Sequence, residues 1–150
     1  YNYKTFNCFK FRSMVPNKKA NIIQVSKEDH RITKIGKIIR QTSIDELPQF
    51  FNVFIGDMSV VGPRPHPINL NKEYENKLIG FNKRHRFKPG ITGLAQARGY
   101  SGYISELKDM SDRIKMDIFY FKNWSIILDL KIVFMTVLKM LTNLNLKSKV

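Results

Sequence analysis

The chain has 150 residues, 43% of them apolar, which suits one globular domain with a single core. Its one cysteine, Cys8, excludes an intramolecular disulfide, and its three histidines lack the spacing of a zinc site. Twenty-six Lys and Arg residues against twelve Asp and Glu leave a formal net charge of +14. Such a surface attracts nucleic acid, anionic lipid or phosphorylated small molecules, and charge alone does not choose among them.

One strand and two helices are predicted near the N-terminus. Residues 9–12 alternate apolar and basic side chains, which favours a strand. Residues 31–40 carry isoleucines at helical spacing, with basic side chains around the rest of the helix. Ser43, with Glu46 three residues later, matches a capping box and predicts a short helix to about residue 54. The side chains predicted to be buried by that helix are Leu47, Phe50, Phe51 and Phe54.

The middle of the chain is predicted to consist of turns and short elements. Residues 56–59 indicate a turn, and residues 60–61 a short extended piece. The proline-rich run 62–67 cannot be helical, because each proline pushes its predecessor towards extended geometry. Residues 72–87 predict a charged helix, and residues 91–96 an extended segment.

Two helices are predicted at the C-terminal end. Apolar residues at helical spacing over 107–121 predict an amphipathic helix. Residues 125–141 are nearly all apolar, but they include charged side chains and fall short of the roughly 20 apolar residues that a spanning helix needs. A core helix and an interfacial helix lying on a membrane both remain open. Together the elements predict a single α/β (α+β-like) domain over residues 1–150, with short helices around a small sheet, and we expect the apolar C-terminal helix to be interfacial.

Three segments carry residues suited to phosphate chemistry. Asp45 and Glu46 open a predicted helix, whose dipole favours ionised carboxylates, and an ionised Asp can act as nucleophile or metal ligand. In residues 60–66, prolines fix the backbone around Arg64, whose planar fork of donors suits phosphate oxygens. In residues 88–93, two glycines permit close backbone approach. Each pattern taken alone is more often an ordinary structural feature.

Taken together, in this order and spacing, these segments resemble the bacterial sugar transferase family, the monotopic phosphoglycosyl transferases. The stretches that carry the resemblance are Lys10-Phe11-Arg12-Ser13-Met14, Arg31-Ile32-Thr33-Lys34-Ile35-Gly36, residues 42–49, residues 56–65, residues 88–96, and Asn123-Trp124-Ser125 with Asp129-Leu130-Lys131. They cover almost the whole chain. His66 after the Pro-Arg-Pro turn, with Arg84-His85 ahead of residue 88, is similar to the branch that initiates exopolysaccharides such as colanic acid.

The resemblance implies a two-step transfer of a sugar-1-phosphate from a UDP-sugar to undecaprenyl phosphate, with glucose or galactose as first candidates. Asp45 would attack the β-phosphorus and release UMP, and the polyprenyl phosphate would then take the phosphosugar from the carboxylate. Asp45 and Glu46 would together hold Mg²⁺ or Mn²⁺. The residues expected to face the phosphates and the nucleotide are Lys10, Arg12, Arg40, Pro63, Arg64, Pro65 and Arg98.

The expected location is the cytoplasmic face of the bacterial inner membrane, against an anionic lipid surface, with no nucleic acid bound and a homodimer left open. The positive charge then has a use, because a carboxylate about 5 Å from a phosphate charge is opposed by roughly 3 kcal/mol at an effective dielectric of about 20. Cations beside the carboxylates would cancel that repulsion. Each Lys or Arg near an anionic membrane contributes about 1 kcal/mol to binding.

Two departures from the family pattern leave alternatives open. Members usually place a hydrophobic membrane helix before residue 10, so we expect this chain to be a catalytic fragment of a longer protein. In residues 97–103, Ser101 and Tyr103 replace the usual basic and acidic residues, so an inactive member is one alternative. A basic nucleic-acid-binding module is the other. It would need exposed aromatics among the basic residues, whereas Phe50, Phe51 and Phe54 are predicted to be core.

Overall fold

A computed structural model describes residues 1–16, 25–26 and 29–147. The strands β1 (Ser59–Val61) and β2 (Gly90–Thr92) pair in parallel, with Ser59 opposite Gly90. The α-helices of the described residues are α1 (Lys34–Gln41), α2 (Gln49–Phe54), α3 (Ile68–Glu75), α4 (Leu94–Ala97), α5 (Leu107–Lys122) and α6 (Ile126–Lys147), and 3₁₀ helices lie at Ile44–Glu46 and Phe81–Arg86. These elements agree with the prediction of a small α/β domain with a small sheet, but α5 and α6 are long helices of 16 and 22 residues.

The long helix α5 lies between two hydrophobic clusters. Near its C-terminal end, Tyr120 joins a cluster that also contains residues of β1, α4 and α6. Nearer its start, Met110 and Ile114 pack with Phe81 in the second cluster. This helix was predicted from its apolar spacing. A capping box begins it, since the side chains of Glu106 and Asp109 each accept a hydrogen bond from the other residue's backbone N–H.

Several predicted elements differ from the structure. Residues 9–12 are not a strand, and Met14 forms an isolated antiparallel bridge with Ile32 instead. The helix predicted over 72–87 is interrupted, because Gly80 adopts a left-handed conformation (φ 83°) between α3 and the following 3₁₀ helix. The extended segment predicted over 91–96 ends with β2, and α4 begins at Leu94.

The predicted burial of Leu47 and of the α2 aromatics is wrong. The exposed fractions are 52% for Leu47, 52% for Phe50, 69% for Phe51 and 90% for Phe54. The inward face of α2 carries Gln49 and Asn52, which are 1% and 0% exposed. The Asn52 side chain bonds to the backbone of the N-terminal segment, so the polar face of the helix is turned inward and its aromatic face outward.

Helix α6 has a packed face and an exposed apolar face. Ile132 is fully buried against β1 and α4, so one side of the helix belongs to the core. The other side exposes large apolar residues, namely Ile126, Ile127, Leu130, Phe134, Val137, Leu138 and Leu141. As predicted for residues 125–141, none of the described helices is long and apolar enough to cross a bilayer.

Candidate active site

The two carboxylates of Asp45 and Glu46 lie in the 3₁₀ helix between α1 and α2. The predicted capping box is wrong, because Ser43 has a left-handed backbone (φ 58°) and its side chain makes no capping bond. Glu46 instead accepts hydrogen bonds from Lys10 Nζ at 2.9 Å and from Arg64 Nη2 at 2.5 Å. Charge-assisted bonds of this kind are stronger than a bond to a neutral N–H. Glu46 therefore draws the N-terminal segment and the Pro-Arg-Pro turn together beside Asp45.

The N-terminal segment is attached to the site by backbone as well as by charge. The Phe11 N–H donates to the carbonyl oxygen of Asp45 at 2.9 Å. On α2, Asn52 Oδ1 accepts from the Phe9 N–H at 2.9 Å, and Asn52 Nδ2 donates to the Asn7 carbonyl at 2.8 Å. This pair of bonds fixes the segment that carries Lys10. No sequence pattern marks Asn52 as part of the site, because it is a single polar residue in a run of apolar ones.

Close backbone contact positions the Pro-Arg-Pro turn at the end of β1. A Cβ atom on Gly90 would lie 2.1 Å from the backbone nitrogen of Gly62, and one on Gly62 would lie 2.4 Å from the Lys88 carbonyl oxygen. Only glycine fits at either position. The structure therefore brings the predicted segments 60–66 and 88–93 together, and Arg64 projects from their junction to Glu46.

The two carboxyl groups have opposite electrostatic environments. Burial raises the pKa of Asp45, and the charge of Glu46 raises it further, while Lys10 and Arg40 act in the other direction. Burial would also raise the pKa of Glu46, but Arg64 and Lys10 outweigh it and lower that pKa to about 2. Glu46 is thus a fixed negative charge held by cations. Asp45 is the more basic carboxylate and so the better nucleophile of the two.

The other predicted cations differ in how they relate to the carboxylates. Arg40 Nε donates to Ser13 Oγ at 2.7 Å, and its charge reaches Asp45 through space. Arg12 is exposed next to the segment that contacts Asp45. Arg98 is exposed at the C-terminal end of α4, and it is not among the cations that shift the pKa of Asp45 or Glu46. The structure thus groups Lys10, Arg64 and Arg40 around the pair.

The donor set at the carboxylate pair suits a hard divalent cation. Among the described residues, no group of three or more His, Cys, Asp or Glu side chains forms a ready metal site. Mg²⁺ is commonly bound by one or two carboxylates together with substrate phosphates, so Asp45 and Glu46 supply a fitting protein share. Both Glu46 oxygens already accept bonds from Arg64, so a cation there would compete with that guanidinium.

Comparison with known proteins defines the class. A family model described as bacterial sugar transferase matches residues 1–143. The chain belongs to the bacterial sugar transferase family.

Curated relatives show the same similarity. A UDP-glucose:undecaprenyl-phosphate glucose-1-phosphate transferase of Klebsiella pneumoniae is 53% identical over 137 residues, which is 91% of this chain and 30% of that protein. A protein of the same name from Escherichia coli is 45% identical over 93% of this chain and 30% of its own length. A UDP-N-acetylgalactosamine-undecaprenyl-phosphate N-acetylgalactosaminephosphotransferase of Aeromonas hydrophila is 41% identical over 93% of this chain and 33% of its own length. The chain thus spans about a third of the length of these relatives.

Proposed function

We propose that the protein containing this chain transfers a sugar-1-phosphate from a UDP-sugar to undecaprenyl phosphate. The observation that carries the proposal is the carboxylate pair, in which a buried Asp45 adjoins a Glu46 that is clamped by Lys10 and Arg64. The names of the relatives support the same reaction class, with UDP-glucose recurring as donor. This reaction is the first membrane step in assembling an exopolysaccharide or capsule, and one relative is named an exopolysaccharide production protein.

The chemistry proceeds in two displacements at one phosphorus. A carboxylate oxygen of Asp45 bonds to the β-phosphorus of the UDP-sugar, and the bond from that phosphorus to the bridging oxygen breaks, so UMP leaves with the electron pair. An oxygen of the polyprenyl phosphate then attacks the same phosphorus and breaks its bond to the Asp45 oxygen. The carboxylate is regenerated, and the product is a polyprenyl diphosphosugar. Lys10, Arg64 and Arg40 offset the repulsion between the carboxylate and the phosphates.

Asp45 and Glu46 are the residues that would hold Mg²⁺ or Mn²⁺ with the diphosphate. When bound, the cation supplies charge neutralisation to the phosphate oxygens. Glu46 stays ionised at neutral pH because Arg64 and Lys10 lower its pKa to about 2, so it could bind the cation without losing a proton, in competition with Arg64.

An apolar surface beside the site supports a membrane location. Helix α2 follows the carboxylate pair and exposes Phe50, Phe51 and Phe54, and α6 exposes a second apolar face. Polyprenyl phosphate stays in its bilayer, so the nucleophile must work close to the head groups. We assign both faces to the cytoplasmic leaflet of the bacterial inner membrane, where anionic lipid attracts the basic chain.

Nucleic-acid binding is the rival from another class. The predicted burial of Phe50, Phe51 and Phe54, which spoke against it, is wrong, so exposed aromatics do lie on this basic chain. Family membership and the clamped carboxylate pair favour the transferase instead.

The deciding test is a transfer assay. The complete protein, in membrane vesicles containing undecaprenyl phosphate and Mg²⁺, is incubated with each of a panel of radiolabelled UDP-sugars. We expect label in the lipid fraction and release of UMP for UDP-glucose or UDP-galactose. A parallel sample receives labelled RNA. If no sugar labels the lipid fraction and no UMP is released, the protein is an inactive family member. Tight RNA binding without transfer would favour the rival.

A further inference from the structure

The Pro-Arg-Pro turn is held in place partly by the side chain of Arg84. Prolines at three positions in residues 63–67 carry no N–H, so the turn has few backbone donors of its own. Its beginning is tied to β2 by two backbone bonds of 2.9 Å, one donated by Gly62 and one accepted by the Pro63 carbonyl. The next carbonyl, that of Arg64, accepts from Arg84 Nη2 at 2.6 Å. Arg84 thus holds the turn at the residue whose guanidinium reaches Glu46.

Arg84 is itself fixed in the interior. Its side chain is 5% exposed and lies 3.6 Å from Asp117 of α5, measured from Nη2 to Oδ2. Its other terminal nitrogen, Nη1, contacts the ring of His66. Burial and the nearby guanidinium groups hold the pKa of His66 well below its usual value, so the neutral ring can accept this bond. Bonds on both sides leave the guanidinium of Arg84 little freedom to rotate.

We propose that Arg84, seated on Asp117, is a positioning residue that sets the guanidinium of Arg64 against Glu46 for the phosphosugar transfer. The inference rests on the proposed function, because the transfer reaction is what the orientation of Arg64 serves. Arg84 acts through Arg64. Asp117 in turn acts through Arg84. Helix α5 is therefore linked to Glu46 by the Asp117–Arg84 ion pair, the bond from Arg84 to the Arg64 carbonyl, and the ion pair of the Arg64 side chain with Glu46.

A double-mutant cycle separates this role from a general contribution to folding. Arg84→Lys keeps a positive charge beside Asp117, but an ammonium cannot reproduce the planar set of donors that meets both Arg64 and His66. We expect it to lower kcat/KM for the UDP-sugar about tenfold or more when Arg64 is present, and less than about threefold in an Arg64→Ala background. Arg84→Lys should also divide its effect between kcat and KM in the same proportion as Arg64→Ala does.

The assays use the complete protein in membrane vesicles, with thermal unfolding measured for every variant. Arg86→Lys is the matched control, since Arg86 is an exposed neighbour on the same 3₁₀ helix and its replacement should leave kcat/KM unchanged. If Arg84→Lys does not fold, the cycle is run with Asp117→Asn. This substitution is isosteric and removes the negative charge that pairs with Arg84. Equal losses in both Arg64 backgrounds, or no loss at all, would overturn the inference while the proposed function stands. Absence of transfer by the unmodified protein would overturn both.

Discussion

At the scale of single residues, Asp45 and Glu46 are neighbours with separate tasks. Glu46 forms ion pairs with Lys10 and Arg64. Lys10 and Arg40 act on Asp45 mainly through long-range electrostatic attraction. Asp45→Asn keeps the shape but removes the nucleophile, so we expect transfer to fall at least about 10³-fold with the fold intact. Wild type incubated with UDP-sugar alone should release UMP and add one phosphosugar mass to the peptide containing Asp45, detected by mass spectrometry. Mass on another peptide, or a normal rate from the variant, would refute the assignment.

The charge of Glu46 also controls when Asp45 ionises. Burial and Glu46 raise the pKa of Asp45, so the rate of UMP release should decline as the pH falls through that raised value. Glu46→Gln removes a negative neighbour and frees Lys10 and Arg64 to act on Asp45. The pKa of Asp45 then falls, and the acid limb of kcat/KM should move to lower pH, even though the maximal rate drops. The measurement is a pH profile of UMP release. An acid limb that stays in place or moves upward contradicts the coupling.

The oxygen ligands of the pair predict which metal ions restore activity. We expect EDTA to abolish transfer, and Mg²⁺ or Mn²⁺ to restore it while Zn²⁺ does not, because Asp45 and Glu46 offer hard oxygen ligands and the described residues contain no group of three or more His, Cys, Asp or Glu side chains. The measurement is lipid-linked label after dialysis against each ion. Full transfer in EDTA would remove the cation from the proposed reaction.

At the scale of elements, α2 is oriented by one polar side chain. Asn52 is fully buried and bonds to Asn7 and Phe9, so Asn52→Ala leaves two backbone groups without their partner. Both bonds are part-buried, so each contributes roughly 0.5–1.5 kcal/mol, and the midpoint of thermal unfolding should fall by several degrees. Transfer should fall as well, because the segment carrying Lys10 is no longer fixed. Asn82→Ala, at an exposed position, is the control and should change neither. An unfolding midpoint equal to that of the control would mean that α2 does not depend on Asn52.

How much of the fold could be predicted varies from element to element. Helix α5 was predictable because its apolar spacing and its buried face coincide at Met110 and Ile114. Periodicity also showed that α2 is amphipathic, but it could not say which face meets solvent. That depends on the bonds from Asn52 to residues more than forty positions away.

Some residues of the site could likewise be predicted from the sequence, and others could not. The resemblance to the sugar transferases marked Asp45, Glu46 and Arg64, and the structure brings these three residues together. The failure of the capping box at Glu46 followed from partners 18 and 36 residues away, whose charges override a local bond. Arg84 stood in the sequence only as a marker of the branch, because nothing local shows that it reaches the Arg64 carbonyl.

At the scale of the whole molecule, a net charge of +14 coexists with large exposed apolar side chains on α2 and α6. An anionic membrane satisfies both features, because lysines and arginines meet the head groups while the apolar side chains enter the interface. We therefore expect the 150-residue chain to bind vesicles containing anionic lipid, to bind them more weakly at high salt, and to leave neutral vesicles largely unbound.

Phe134 tests whether α6 makes that contact. Its side chain is 63% exposed on the face opposite the buried Ile132, so Phe134→Glu should reduce sedimentation with anionic vesicles without lowering the unfolding midpoint. Phe119→Glu, at a half-exposed position on α5, introduces the same charge and separates a local effect from a change in net charge. If Phe134→Glu yields no soluble, folded protein, the outer face of α6 is core after all. If both variants bind like wild type, the contact belongs to α2, and Phe54→Glu should then abolish binding, because Phe54 is the most exposed phenylalanine on that helix at 90%.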